Sequence, residues 1–321
     1  MTRFKEWAPH GVIPAVLLPF HKDFSLDEKS YRKHLRDVVA VDGISAITVN
    51  GHSSEVHACT IEEQREVLAI TLDEVGDRVP VIAGVYADGS LEAARIARIT
   101  EADGAACLLV FPPQSMTMGG QLRPEMAIAH FQTIAAATSL PLICFNYPMV
   151  GGLGYPHETL LRLVEAVPSI RAIKDWSGDA MVHERNIRAL QSLPRPVNVL
   201  TTHSAWLLSS LVLGCDGLLS GAGSVIADLQ VALFRAVLAN DLAAARAINE
   251  RIYPLAQAFY APPFLDMHNR MKEVLALLGR LPPAVVRPPL VKLPAHDIDR
   301  LKQAIMAAGL ERESASALAA A

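Results

Sequence analysis

The chain has 321 residues, 51% of them hydrophobic and 19% charged, with a formal net charge of −4. That balance excludes a basic nucleic-acid-binding footprint and requires a large core with apolar surface for subunit contacts. Cys59, Cys107, Cys144 and Cys215 form no CxxC pair, and the last three sit in apolar runs. Reduced, buried thiols in a cytoplasmic protein are the expectation. Residues 1–7 lack an apolar signal core. The most apolar later stretch, 205–215, is broken by Asp216 and too short to span a bilayer, so no membrane partner is expected.

In chain order, short apolar runs occur at 12–18, 46–49, 79–85, 106–110, 140–145, 170–173, 197–200 and 217–219. Helix-period segments separate them, among them 27–41, 60–75, 90–102 and 156–166. Thr60-Ile61-Glu62-Glu63 reads as a capping box, and Ser90 as the start signal of the next helix. Strands separated by helices must pair in parallel, and eight such units predict an α/β fold, a (β/α)8 TIM barrel. No GxGxxG follows the first run, which removes the dinucleotide fold. From Ser224 onward the pattern is helical, at 228–239, 242–261, 265–278 and 298–308. Residues 1–225 are therefore expected to form the barrel. Residues 226–321 would add its last helix and a C-terminal helical extension, with 311–321 a frayed helix end.

Chemistry in such barrels sits at the carboxyl ends of the strands. Strand six ends in Ile173-Lys174-Asp175, and alternation puts Ala172 and Lys174 inside the ring with Ile173 facing the helices. A desolvated lysine there can be an amine nucleophile that forms a Schiff base with a carbonyl. A lysine paired with a carboxylate at the barrel mouth is the other reading. Gly51, Ser53 and Ser54, in the loop after strand two, offer backbone N–H groups and hydroxyls for a carboxylate. The same serines could simply cap the next helix. Leu219, Ser220 and Gly221 end strand eight, and Gly221-Ala222-Gly223-Ser224 suits close approach to a small ligand or to phosphate. His52, His57, His183 and His203 form no HxH or HExxH pair, so neither a metal nor any other cofactor is expected.

Four segments, taken together, resemble the dihydrodipicolinate synthase / N-acetylneuraminate lyase family of class I Schiff-base lyases. Gly51-His52-Ser53-Ser54-Glu55 stands at the family's Gly-Thr-Thr-Gly-Glu loop, and Phe145-Asn146-Tyr147-Pro148 at its Tyr-Asn-x-Pro. Ile173-Lys174-Asp175 stands at its Ile-Lys-Glu or Ile-Lys-Asp, and Gly214-Cys215-Asp216-Gly217 at its Gly-x-x-Gly. The resemblance implies a metal-free lyase in which Lys174 condenses with pyruvate or another 2-oxo acid, usually in a homotetramer; a homodimer is the alternative assembly.

The departures narrow the activity. The family's proton-moving tyrosine falls on Phe145, which carries no proton, and the first hydroxyl of the strand-two loop falls on His52. Pro113-Gln114 replaces the tyrosine that dihydrodipicolinate synthases borrow from a neighbouring subunit, and their substrate-binding arginine falls on Val150. Synthesis of the lysine precursor is thus not expected. His52, whose ordinary value near 6.5 suits acid–base work, then Tyr147, on the Phe145 face if strand five continues, then His203 are the candidates to replace the missing phenol. A pyruvate-releasing or pyruvate-condensing aldolase is the leading expectation. A 2-keto-3-deoxy sugar acid dehydratase, or a 2-oxo acid binding protein with little turnover, are the alternatives. Met149, Val150 and Leu153 suggest an apolar or aromatic distal half of the substrate.

Overall fold

The apolar runs become eight short strands in one ring. In the computed structural model, which describes residues 7–312, they are β1 (Gly11–Pro14), β2 (Ile47–Val49), β3 (Val81–Val85), β4 (Cys107–Val110), β5 (Leu142–Asn146), β6 (Ile170–Asp175), β7 (Asn198–Thr201) and β8 (Gly217–Ser220). All pairings are parallel, in the order β1-β8-β7-β6-β5-β4-β3-β2. Parallel bridges from Val12 to Ile44 and from Ala15 to Thr48 bring β1 against β2. The helices between strands are α1 (Glu28–Val39), α2 (Ile61–Val75), α3 (Ser90–Ala102), α4 (Pro124–Ala135), α5 (His157–Ala166), α6 (Ala180–Leu190) and α7 (Leu207–Val212). After β8 come α8 (Gly223–Leu238), α9 (Leu242–Phe259), α10 (Met267–Leu277) and α11 (Ala295–Ala307). The fold is a (β/α)8 barrel with C-terminal helices. No helix among the described residues is long and apolar enough to cross a membrane.

The residues sort into two cores, as strands buried on both faces require. Ile13, Ala46, Ile82, Leu109, Ile143, Ala172, Leu200 and Leu219 fill the ring, while Ile173 and Leu218 join the larger core beneath the helices. Ala172 below Lys174 leaves room for the lysine stem.

Local signals explain most helix ends. Thr60 accepts from the Glu63 backbone and Glu63 reaches back to the Thr60 N–H, forming the expected capping box. Ser90 departs from expectation: Gly89 occupies the cap position, and the Ser90 hydroxyl is 3.0 Å from His130 Nδ1 instead. The first apolar run also outlasts its strand. Residues 15–18 are buried, yet the regular ladder ends at Pro14, so their hydrophobicity serves packing. The helix expected from 228 begins at Gly223 and is kinked at Ile226, beside the expected 225/226 boundary. Glu311 and Arg312 are not helical, and residues 313–321 lie outside the described part.

Candidate active site

Lys174 ends the inner face of β6, opposite Phe145 of β5 in the ladder. It is 8% exposed, and its Nζ lies 4.0 Å from the Phe145 ring centroid. Among the described residues no carboxylate pairs with it, which removes the ion-pair reading. Burial brings its amine down to about 7. The negative ring face of Phe145 acts the other way, favouring the ammonium modestly. An amine poised at neutral pH, with no counter-ion, can attack a carbonyl.

The loop after β2 reaches over this amine. Asn50 and Glu55 bracket it with left-handed backbone, φ 53° and 52°, and the Asn50 side chain donates to the Gln64 carbonyl at 2.9 Å. Gly84 of β3 permits that path, since a Cβ there would meet the Asn50 carbonyl at 1.9 Å. His52 packs edge-on to Phe111 and shares a hydrogen bond with the Tyr147 hydroxyl. Burial first, and the Lys174 charge second, lower the His52 imidazole to about 3. It is therefore neutral, and the ordinary value near 6.5 assumed from sequence does not apply. Burial pushes the Tyr147 phenol well above its usual value. With the ring proton on Nδ1, the phenol donates to Nε2.

The other expected residues divide. Ser53 Oγ is buried and, among the described residues, has no hydrogen-bond partner. Gly51 is buried at the start of the same turn. Ser54 donates to the Val16 carbonyl at 2.9 Å, which ties the loop to β1. Ser220 is hydrogen-bonded to Ser204 Oγ at 2.7 Å and accepts from the Ala222 N–H. Leu219 lies in the ring core. Gly221 is the close-approach position: a Cβ there would sit 2.8 Å from His268 Nε2. The space over the turn after β8 is thus taken by an imidazole from α10. His203 stacks near Trp206, with ring centroids 4.3 Å apart.

Behind Lys174, Asp175 anchors the strand end. It accepts from Asn146 Nδ2 at 3.1 Å and the Ser177 N–H at 3.0 Å, and pairs with His183 Nδ1 at 2.7 Å. Asp175, His183 and His203 each place one ligand atom within 4.8 Å of the others, an arrangement that could hold a cation. The ring nitrogens are already engaged: His183 Nε2 meets Ser210 at 2.8 Å, and His203 Nε2 accepts from the Gly178 N–H at 3.0 Å. Any cation there would have to displace these bonds.

Sequence reasoning missed the share of the C-terminal helices. Lys272 of α10 is buried in an ion pair with Glu55, and the Arg287 N–H donates to the same carboxylate at 2.9 Å. His268, its imidazole kept neutral mainly by burial and then by His52 and Lys174, closes the β8 side. The available signal was a lysine and an arginine, Arg270 and Lys272, inside an otherwise amphipathic segment; both are buried.

The Dihydrodipicolinate synthetase family model matches residues 8–308. A 4-hydroxy-tetrahydrodipicolinate synthase of Neisseria meningitidis serogroup B is 30% identical over 305 residues, covering 93% of this chain and 98% of that protein. One from Salinibacter ruber is 32% identical over 301 residues, covering 93% and 94%. Among solved structures, a putative dihydrodipicolinate synthetase from Pseudomonas aeruginosa superposes with a TM-score of 0.84 at 26% identity, covering 94% of this chain and 100% of that one. A prophage protein of the dihydrodipicolinic acid synthase family from E. coli K12, solved in complex with pyruvate, gives 0.84 at 22% over 94% and 99%, a likeness of fold. The chain is a Schiff-base lyase of class I. It belongs to the dihydrodipicolinate synthetase family.

Proposed function

We propose that this protein is an aldolase of the family, with Lys174 forming an imine with a small 2-oxo acid and pyruvate released or consumed. The observation that carries this is the buried, unpaired amine, about 7, next to the Tyr147–His52 pair. Ser53 and the N–H groups of the Gly51 turn would bind the 2-oxo acid carboxylate, and the partnerless Ser53 hydroxyl supports that role. Phe145 fills the family's tyrosine position as an apolar platform under the amine, and Tyr147, one step further along the same face, supplies the phenol. The imine draws electrons from the adjacent carbon, so a carbanion forms as an enamine. Exposed Met118, Leu122 and Met126, beyond β4, support assembly into a homodimer or homotetramer. The reaction is tested by pyruvate release from a panel of 4-hydroxy-2-oxo acids. Release supports the aldolase; loss of water without release would make the protein a dehydratase instead.

Tyr147→Phe removes the pair's hydroxyl and leaves the amine in place. Turnover is expected to fall about 10²- to 10⁴-fold, with KM changed little. His52→Ala should behave likewise. Equal losses in kcat and 2-oxo acid affinity for both variants would reject proton transfer through the pair.

A further inference from the structure

At the carboxyl ends of the strands lies a cavity of about 570 Å³, walled by the loops after β5, β6 and β7 and by the segment between α9 and α10. Its walls are aromatic: Tyr147, Trp176, Trp206, Tyr260 and Phe264, with Leu153. Among the described residues no Lys, Arg, Asp or Glu lines it; His203, whose Nε2 accepts from the Gly178 N–H, completes the wall. Trp176 lies 5.6 Å from Tyr147 and 6.2 Å from Phe264, ring centroid to centroid. The wall from the C-terminal segment is held in place from behind. Buried Arg270 donates to the carbonyls of Phe259, Ala261, Pro262 and Pro263. The cavity is also one ring away from the chemistry, since Tyr147 lies 4.3 Å from Phe145, whose face carries the Lys174 amine.

A polyhydroxylated or zwitterionic tail would lose its hydration here and gain few hydrogen bonds, whereas a flat apolar ring meets edges and faces of its own kind. Resting on the Schiff-base reading above, the geometry points to an aryl-bearing substrate, a 4-aryl-4-hydroxy-2-oxobutanoate or the aryl aldehyde that pairs with pyruvate to form it. The carboxylate and imine carbon lie at Ser53 and Lys174, and the aryl ring lies in the cavity against the Trp176–Phe264 wall. In the cleavage direction the C4 hydroxyl gives its proton to the Tyr147–His52 pair. The C3–C4 bond breaks, its electrons pass into the enamine, and the aryl aldehyde leaves. The substrate carboxylate beside the imidazole raises its basicity for this step. Protonation of C3 and addition of water to the imine then release pyruvate and the free lysine. The water consumed equals the one lost when the imine formed.

The test compares 4-hydroxy-4-phenyl-2-oxobutanoate with 4-hydroxy-2-oxoglutarate and a 2-keto-3-deoxy sugar acid, in wild type and Phe264→Ala. Phe264 is half-exposed, so its removal is tolerated by the fold. The aryl substrate is expected to have kcat/KM at least about tenfold above either polar one. Phe264→Ala should raise its KM about tenfold with little change in kcat, and leave the polar substrates unaffected. If Phe264→Ala fails to fold, Leu153→Ala gives the same readout. Equal or better turnover of a polar-tailed substrate, or no cleavage of the aryl one, overturns the inference. In either case borohydride trapping of pyruvate on Lys174 persists. If trapping itself fails, the Schiff-base reading falls with it.

Discussion

Lys174→Met abolishes turnover and makes the folded protein more stable. The first effect is the loss of the attacking amine; the second comes from no longer holding an ammonium out of water without a counter-ion. Unfolded, the amine keeps its proton up to its ordinary value of 10.5; folded, it releases it at about 7. Between those values the unfolded state binds more protons, so wild-type stability rises with pH across that window. Below pH 7 the penalty is fully present, on the order of 5 kcal/mol before the Phe145 ring face offsets part of it. Methionine fills a similar volume with no charge to bury. Denaturant titrations should therefore show the variant more stable by about 2–4 kcal/mol at pH 6, with the gain shrinking toward pH 10. A variant less stable than wild type at pH 6 would mean that the amine is stabilised in a way this geometry does not contain.

Lys272→Met is the largest expected loss. Lys272 and Glu55 are 2% and 1% exposed and face each other across the junction of α10 and the β2 loop. Lys272 also donates to the Val285 carbonyl at 3.0 Å and lies 4.4 Å from the Phe20 ring centroid. Removing the lysine leaves a buried carboxylate whose remaining donor is the Arg287 N–H. Such a break costs about 3–5 kcal/mol. The Glu55→Gln/Lys272→Met double variant removes both charges and should recover more than half of that, giving a coupling energy of about 2 kcal/mol or more in a double-mutant cycle. Glu55 also closes the turn that carries His52 and Ser53, with φ 52°. The single variant should accordingly weaken 2-oxo acid binding as well as stability. Additive effects in the cycle would show that the pair does not hold the loop.

The barrel was legible because its strands are buried on both faces. Each then reads as an unbroken apolar run, and the helices between them carry their caps in local sequence, as Thr60 and Glu63 do. Ends were less legible where one residue type serves two purposes: residues 15–18 are apolar for packing after β1 has ended, and Ser90 bonds His130 rather than a helix terminus. Lys174 stood out because a cation closing an apolar run has no cheap explanation. Tyr147 lies just past the end of β5 at Asn146, so strand alternation alone did not place it; it packs on Phe145 with ring centroids 4.3 Å apart. The ion pair between Glu55 and Lys272 joins residues 217 apart, and the aromatic cavity is assembled from three strand ends and a helical segment. No local pattern encodes such contacts. The basicity of His52 was misjudged for the same reason, since the burial that lowers it comes from Phe111, Phe145 and Tyr147 on other strands.

The most direct measurement is borohydride reduction in the presence of pyruvate across pH 5 to 9, with peptide mass mapping of the product. One adduct is expected, on Lys174, forming about tenfold faster for each unit that the pH rises toward the midpoint and levelling above about 7, as the neutral amine accumulates. An adduct on a different lysine, none at all, or a midpoint near the ordinary 10.5 of an exposed amine would contradict the account.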